Sequence, residues 1–298
     1  MIYVDDVIRA TNYENFKVTF FSDLNKKYGI KDLGLIHEYL GVEAVMNKQG
    51  VLVQQKKYCG HVHERFRMAD AYGCRSPMET NICIDPTKDD GDDGPQLAYR
   101  YAVGGLMCLV TKADNEIVRD GEAPNGYLVM AIGKGIFYKR PDSTQTRLTL
   151  NGYCDNGWGN CPQTRKGGTG YTIMLAGGTI SWAATRQSVA AQSTAEAEYV
   201  AFCEATMDGK GSFNNLWELF PKYPTKFHLG IDNKTALAFA TNPTYNRKTR
   251  HIELRWYFVR EEAEKKELSI FLRLQALKIP PTYYRRVCGS VKSRLSVR

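Results

Sequence analysis

The chain has 298 residues, 43% of them hydrophobic, which is enough for one large or two ordinary domains, each with its own core. No stretch approaches the ~20 consecutive apolar residues of a membrane span. The first residues place two acids where a signal peptide needs basic and apolar residues. The sequence therefore predicts an intracellular protein of the cytoplasm or nucleus, with no membrane partner and no secretion.

The formal net charge of +8 is concentrated at the C-terminal end of the chain. Residues 272–298 contain seven Lys and Arg residues and no acid, which leaves 33 basic against 32 acidic residues in residues 1–271. The basic character that might indicate a nucleic-acid partner therefore belongs to this tail.

The first 84 residues alternate short strand-like and helical patterns. Residues 2–4 and 7–8 are typical of two strand pieces around Asp5 and Asp6, and a helix is predicted over residues 13–28. Strands over residues 38–46 and 50–55 should pair, followed by a helix over residues 55–66. Within this helix Cys59, His61 and His63, with Cys74 beyond it, could close a zinc site, but their spacing fits solvent-facing helix residues better. The eight cysteines include no CxxC pair, so no disulfide framework is predicted.

Residues 85–95 are acidic, rich in Gly and Pro, and without apolar periodicity, which predicts a linker. A calcium loop is the alternative, but the EF-hand spacing and its terminal glutamate are missing. Residues 96–146 are predicted to be a mainly helical connection.

From residue 147 the pattern predicts a mixed α/β layer. Strands are expected over residues 148–154, 171–175, 179–184, 226–231 and 268–272. Helices are expected from about residue 195 into the low 200s, over residues 235–240 and over residues 252–266. This order is typical of an α/β (α+β) domain with a mixed sheet flanked by helices.

Three acids stand at the ends of these elements. Asp155 ends the first strand, Glu198 lies in the first turns of the long helix, and Asp232 ends the fourth strand. Acids at such positions can meet at one rim of a sheet, where they repel one another unless cations neutralise them. Oxygen-only ligands suit Mg²⁺ or Mn²⁺, and a pair of such ions can assist hydrolysis of a phosphodiester. Each acid alone is better explained as an ordinary cap or a solvated carboxylate, and only the joint arrangement of the three favours a metal site.

Glu198 is preferred over Glu196 as the helical ligand. Ser193 and Glu196 fit a capping box, in which Glu196 would reach back to the Ser193 backbone N–H. Glu198 lies about 200° further round the helix and is free to face the site.

Several blocks resemble copia-type retrotransposon Pol polyproteins. The blocks similar to their RNase H domains are residues 152–158 (GYCDNGW), 164–171 (TRKGGTGY), 180–182 (ISW), 192–201 (QSTAEAEYVA), 231–233 (IDN) and 247–255 (RKTRHIELR). The blocks similar to their reverse transcriptase are residues 3–6 (YVDD), 31–34 (KDLG), 39–41 (YLG), 55–58 (QKKY) and 76–78 (SPM).

The resemblance implies a truncated reverse transcriptase palm/thumb fragment over residues 1–84 and an RNase H-like domain over residues 147–271. In the RNase H half it implies Asp155, Glu198 and Asp232 as catalytic metal ligands for Mg²⁺ or Mn²⁺, acting on the RNA strand of an RNA–DNA hybrid. Candidate nucleic-acid contacts are Arg165, Lys166, Arg247, Lys248 and Arg250. The rest of a Pol polyprotein is the implied partner in the ancestral element.

The chain also departs from this family. Asp5 and Asp6 match the polymerase hairpin, but the family's upstream aspartate and fingers do not precede them, which implies a remnant without polymerase activity. The fourth acid of the family's RNase H site is also missing, because the sequence after Phe271 is acid-free. The tail is explained either by a frameshift or truncation near Phe271 or by a basic arm that contacts phosphates. An inactive nucleic-acid-binding remnant and a decayed open reading frame therefore stay open beside an impaired nuclease.

Overall fold

The structure is a computed structural model, and the residues that it describes fall into two sheet-containing parts. They are residues 2–3, 6–11, 13–65, 134–141, 146–159, 164–241, 258–259, 261–262 and 268–272. The predicted linker, most of the predicted helical connection and the basic tail after residue 272 lie outside them.

The N-terminal part begins with two short paired strands and a helix. Strands β1 (Ile2–Tyr3) and β2 (Asp6–Val7) are antiparallel, and helix α1 (Glu14–Tyr28) follows. Helix α1 ends at Gly29, whose φ of 67° is the left-handed conformation that glycine adopts without strain. The predicted strand pieces and helix are confirmed.

A four-stranded antiparallel sheet follows. Strands β3 (Glu38–Tyr39), β4 (Val42–Met46) and β5 (Gly50–Gln54) pair in sequence, and helix α2 (Lys56–Arg65) comes next. The Asn47 side chain accepts hydrogen bonds from the Gln49 and Gly50 backbone N–H groups, which closes the turn between β4 and β5. The pairing of β4 with β5 and the helix agree with the sequence prediction. The single strand predicted over residues 38–46 is instead divided into β3 and β4 by a turn at Leu40 and Gly41, both of which have positive φ.

The fourth strand of this sheet is a departure from the prediction. Strand β6 (Gly135–Lys139) lies in the segment predicted to be mainly helical, yet it pairs antiparallel with β5 over five residues. The partners are about 80 residues apart in sequence, so local periodicity carries no signal of this pairing.

The C-terminal part is built on a five-stranded mixed sheet. Its strands are β7 (Leu148–Gly157), β8 (Gly168–Leu175), β9 (Gly178–Arg186), β10 (Thr225–Ile231) and β11 (Leu268–Leu272). Their order is β11-β10-β7-β8-β9; β7, β8 and β9 are antiparallel neighbours, and β10 is parallel to both β7 and β11. The mixed α/β architecture predicted from the sequence is confirmed.

Helix α3 (Thr194–Leu219) packs on this sheet and forms the centre of the core. Tyr199, Phe202, Leu150 and Phe227 are fully or almost fully buried there. The helix is longer than predicted and continues through Gly209, where an added Cβ would lie only 2.1 Å from the Phe227 ring. The two glycines that interrupt the helical pattern in the sequence are thus compatible with the helix, and Gly209 makes room for the core.

Helix α4 (Lys234–Thr241) follows β10, with the Asn233 side chain accepting from the Thr235 and Ala236 backbone N–H groups at its start. Residues 258–259 and 261–262 are helical, inside the helix predicted over residues 252–266. Glu262 is buried and pairs with Lys210 of α3 at 3.0 Å, which fastens this segment to the core.

The two parts touch through β6. The Tyr138 hydroxyl donates to the Thr179 carbonyl at 2.7 Å, and the Lys139 backbone N–H donates to the Ala176 carbonyl at 2.7 Å. The Tyr138 ring also covers Gly178, where a Cβ would lie 2.6 Å from it. Strand β6 therefore belongs to the small sheet and contacts the β8–β9 turn of the large one.

No helix among the described residues is both long enough and apolar enough to cross a membrane.

Candidate active site

The sheet topology brings the carboxyl ends of two strands to one rim. Strands β7 and β10 are parallel and adjacent, with Tyr153 paired to Gly230. Asp155 lies near the end of β7, and Asp232 follows the last residue of β10 directly. β7 continues two residues beyond Asp155, so this acid is inside the strand and not at its end as predicted.

Glu198 comes from the start of α3, which lies over the same rim. One carboxylate oxygen from each of Asp155, Glu198 and Asp232 lies within 4.8 Å of the other two. Asp155 and Glu198 are only 1% and 5% exposed, and Asp232 is half-buried. The structure thus brings together the three acids that the sequence singled out.

Glu196 is directed elsewhere, as the capping argument requires. Ser193 caps α3, and its hydroxyl accepts from the Glu196 backbone N–H at 3.2 Å. The Glu196 carboxylate accepts from the Gln192 backbone N–H at 2.8 Å, one residue before the predicted donor. Glu196 therefore stabilises the loop before the helix, while Glu198 joins the acidic cluster.

Asn156 ties the strand that carries Asp155 to the helix that carries Glu198. Its backbone N–H donates to the Asp155 carboxylate at 2.9 Å, and its side-chain amide donates to the Thr194 carbonyl at 3.2 Å. The bond to Asp155 fixes the orientation of this carboxylate. Sequence reasoning missed this residue, although its position directly after Asp155 was a usable signal.

Gln187 is a second tether that sequence reasoning missed. Its side-chain amide is 1% exposed and donates to the Ala197 carbonyl at 2.9 Å, next to Glu198, and to the Thr169 hydroxyl at 3.2 Å. Its backbone N–H donates to the Gly167 carbonyl at 2.9 Å. Gln187 thereby fixes the relative positions of three segments: the loop before β8, the end of β9 and the first turn of α3.

The predicted basic contacts are only partly described. Arg165 and Lys166 lie in the loop that leads into β8, and β8 begins beside the end of β7 because Gly168 pairs with Gly157. Arg165 is exposed and has a φ of 54°. Arg247, Lys248 and Arg250 lie outside the described residues, as does Asp5; Asp6 is described only as backbone of β2.

The cluster has the donor chemistry of a site for a hard divalent cation. Its three ligands are all carboxylates, and oxygen donors are the ligands that Mg²⁺ and Mn²⁺ prefer. Among the described residues it is the only group of three or more His, Cys, Asp or Glu placed to hold a metal. Cys59, His61 and His63 form no such group, and Cys74 lies outside the described part of the chain.

Comparison with known proteins places these features in context. Residues 1–80 match the family described as reverse transcriptase (RNA-dependent DNA polymerase). The chain is 27% identical over 290 residues to the retrovirus-related Pol polyprotein from transposon TNT 1-94 of Nicotiana tabacum, an alignment that covers 91% of this chain and 22% of the relative. It is 24% identical to the corresponding polyprotein from transposon RE1 of Arabidopsis thaliana, over 91% of this chain and 19% of the relative.

Solved structures similar to the chain include an RNase H1 isolated from compost by a metagenomic approach. That similarity has 14% identity and a TM-score of 0.34, and it covers 49% of this chain and 94% of the RNase H1. The prototype foamy virus protease–reverse transcriptase is similar at 11% identity and a TM-score of 0.33, over 52% of this chain and 22% of the viral protein.

The chain spans about one fifth of the length of the plant polyproteins that it matches. The alignments run through both the reverse transcriptase match and the part that carries the acidic cluster, since they cover 91% of the chain. The chain is therefore similar along 91% of its length to a portion of copia-type retrotransposon Pol polyproteins, and its first 80 residues match the reverse transcriptase family.

Proposed function

We propose that the C-terminal part carries an RNase H-type nuclease centre that hydrolyses the RNA strand of an RNA–DNA hybrid. The observation that carries this proposal is the approach of Asp155, Glu198 and Asp232 to within 4.8 Å at the rim of the sheet. These three carboxylates would hold Mg²⁺, or Mn²⁺ in its place. A divalent ion bound there would neutralise charge on the scissile phosphate and activate water for attack.

The protein's own contribution is to fix the three carboxylates before substrate arrives. Asn156 orients Asp155, and Gln187 holds the first turn of α3 in which Glu198 lies. Such rigid support of charged ligands avoids reorganisation during the reaction. Arg165 and Lys166 would contact phosphates of the hybrid, and recognition would depend on backbone geometry and 2′-hydroxyl groups.

The proposed rate is low because the family's fourth acid has no counterpart in the acid-free sequence after Phe271. Loss of one group that stabilises the transition state electrostatically costs on the order of a hundred- to a thousandfold in rate. We therefore expect metal binding with slow turnover.

A labelled RNA–DNA hybrid incubated with the chain and Mg²⁺ or Mn²⁺, beside a calorimetric titration with Mn²⁺, tests this function. We expect measurable Mn²⁺ binding and slow RNA cleavage, both removed in Asp155→Asn. Equal Mn²⁺ binding by the wild type and Asp155→Asn would contradict the proposed centre. Fast Asp155-dependent hydrolysis would instead show that a further ligand completes the site.

The second candidate is a nucleic-acid-binding remnant without turnover, which includes the product of a decayed reading frame. It is favoured by the seven positive charges and absent acids of residues 272–298. Retained, salt-sensitive binding of the hybrid without any Asp155-dependent cleavage in Mg²⁺ or Mn²⁺ would select this candidate.

A further inference from the structure

A basic residue outside the acidic cluster stands in register with it across the sheet. Asp155 pairs with Gly170, which pairs with Ala184; in the next row of this face, Gly157 pairs with Gly168, which pairs with Arg186. Residues directly opposite, and residues two apart in one strand, project from the same face of a sheet. Arg186 therefore emerges from the same face as Asp155.

No side chain of β8 stands between these two residues. Here the intervening strand β8 contributes Gly168 and Gly170 to this face; Gly170 is buried, whereas a Cβ added at Gly168 would meet nothing closer than 3.8 Å. Two strand spacings of ~4.8 Å and two residues along a strand separate the Cα atoms of Asp155 and Arg186 by about 12 Å. The two residues are therefore close enough to contact the same bound strand.

Arg186 is exposed, and no ion pair to it occurs within the described part of the chain. Its guanidinium is available to a phosphate, which it can bind through two parallel hydrogen bonds.

Trp158 is an exposed aromatic residue close in sequence to the cluster. It lies in the turn directly after β7, three residues beyond Asp155, and its side chain is about half exposed. The indole N–H donates to the Ala191 carbonyl at 3.0 Å, so the ring is anchored to the loop before α3. Because the N–H is the only donor of an indole, the exposed part of the ring is aromatic carbon.

We propose that Arg186 and Trp158 form a docking strip for the sugar–phosphate backbone of an RNA–DNA hybrid. Arg186 binds a phosphate of the same strand as the phosphate at the acidic cluster, and the anchored Trp158 ring packs against a sugar beside it. The inference rests on the proposed function, since the strip leads to the acidic cluster. It adds two substrate-binding residues to Arg165 and Lys166 and fixes the direction in which the bound strand leaves the site.

The two residues predict different signatures in one experiment. Binding of a fluorescent RNA–DNA hybrid is measured by anisotropy in Ca²⁺ buffer between 50 and ~300 mM salt, over the range in which phosphate contacts weaken. Arg186→Gln should lower the slope of log affinity against log salt by about 0.9, the value for one phosphate contact. Trp158→Ala should lower affinity about tenfold without changing the slope, and Trp158→Phe should retain most of the affinity, because the contact is uncharged and aromatic.

The chain offers a matched control for each substitution. Arg147 is an exposed arginine at the opposite end of β7, and Trp217 is 59% exposed near the far end of α3. Arg147→Gln and Trp217→Ala should leave both affinity and slope unchanged. An Arg186→Gln slope equal to that of the wild type, or a Trp158→Ala affinity equal to that of Trp217→Ala, would overturn the strip.

The outcomes also separate this inference from the proposed function. If the wild type binds hybrid and Mn²⁺ but the strip variants match their controls, only the strip is wrong. If Asp155→Asn binds Mn²⁺ as the wild type does, the proposed nuclease centre is wrong. If the wild type has no affinity for the hybrid at any salt concentration, both are wrong.

Discussion

Glu196 and Glu198 are two residues apart on one helix, yet their carboxylates have different roles in the structure. Glu196 accepts a backbone hydrogen bond from Gln192, whereas Glu198 lies within 4.8 Å of two other carboxylates. The first arrangement stabilises the fold. The second concentrates negative charge, which destabilises the metal-free protein and is relieved by a bound cation.

Neutralising each glutamate should therefore have opposite effects on stability. We expect Glu198→Gln to leave the metal-free melting temperature equal or higher and to remove the increase that Mg²⁺ gives the wild type. Glu196→Gln should cost about 1 kcal/mol or less and keep the response to Mg²⁺. Thermal melts of both variants in EDTA and in a Mg²⁺ series measure these effects, and loss of the Mg²⁺ response in Glu196→Gln alone would reverse the assignment.

Tyr171 gives a second prediction at this scale. Burial, reinforced by the carboxylates of Asp208 and Glu204, raises the pKa of Tyr171 from 10.0 to about 12. A raised pKa in the folded state means that the stabilising contribution is complete below pH 10 and is lost as the pH rises towards 12. Tyr171→Phe should lose less stability over this window than the wild type, by on the order of 1 kcal/mol after allowance for solvent screening. Urea unfolding at pH 9, 10 and 11 gives the comparison, and parallel pH profiles would contradict it.

At the scale of elements, α3 can pack closely against the sheet because Gly209 has no side chain. Its Cα faces the Phe227 ring so closely that a Cβ would lie 2.1 Å from the ring, while a Cβ at Gly211 would meet nothing within 4 Å. Alanine substitutions at these two positions therefore distinguish the effect of core packing on stability from the effect of helix propensity.

Gly209→Ala should destabilise the chain by about 1–3 kcal/mol, because the helix must move away from the core or Phe227 must leave its rotamer. Gly211→Ala should stabilise it by about 0.5–1 kcal/mol, since alanine is the better helix former. Denaturant unfolding of both variants provides the measurement. A stabilising Gly209→Ala would mean that α3 and β10 are not packed as described.

The elements also show which features the sequence could predict. Strand β10 and helix α1 follow from alternation and from four-residue apolar spacing, and the start of α3 follows from Ser193 and Glu196, because these signals are local. Helix α3 extends well beyond its predicted end in the low 200s, and the fit of Gly209 against the Phe227 ring is a tertiary contact that no local pattern contains. Strand β6 was not predicted, because its partner β5 lies on the other side of about 80 residues.

The acidic cluster could be predicted because the signals that place its residues are also local. Asp155 and Asp232 are near the ends of strands, and Glu198 is at a capped helix start, so their convergence follows once the strands are parallel neighbours. Arg186 could not be found in this way. Its relation to Asp155 depends on the register of three strands, which no local pattern contains.

For the whole molecule, the contact between β6 and the β8–β9 turn should couple the two sheets. The Tyr138 ring covers Gly178, and its hydroxyl bonds to Thr179. Tyr138→Ala removes both contacts, whereas Tyr138→Phe removes only the hydrogen bond, which is worth about 1 kcal/mol.

Hydrogen exchange measured by mass spectrometry should report this coupling. In Tyr138→Ala we expect faster exchange in peptides from β6 and from the β8–β9 turn, with α3 peptides unchanged, because local opening no longer has to break the contact. Tyr138→Phe should show a smaller effect in the same peptides. Unchanged exchange in Tyr138→Ala would show that the two sheets are not coupled through this residue.

The pairing of β5 with β6 should keep fragments of the chain associated after proteolysis. A protease that cuts within the acidic residues 85–95 severs the backbone there, yet the two products still share a ladder from Gly50–Lys139 to Gln54–Gly135. Pieces ending before this segment and beginning after it should therefore copurify when they are produced together. Produced alone, the later piece would carry β6 without its neighbour, and the unpaired backbone groups of such an edge invite association with other copies.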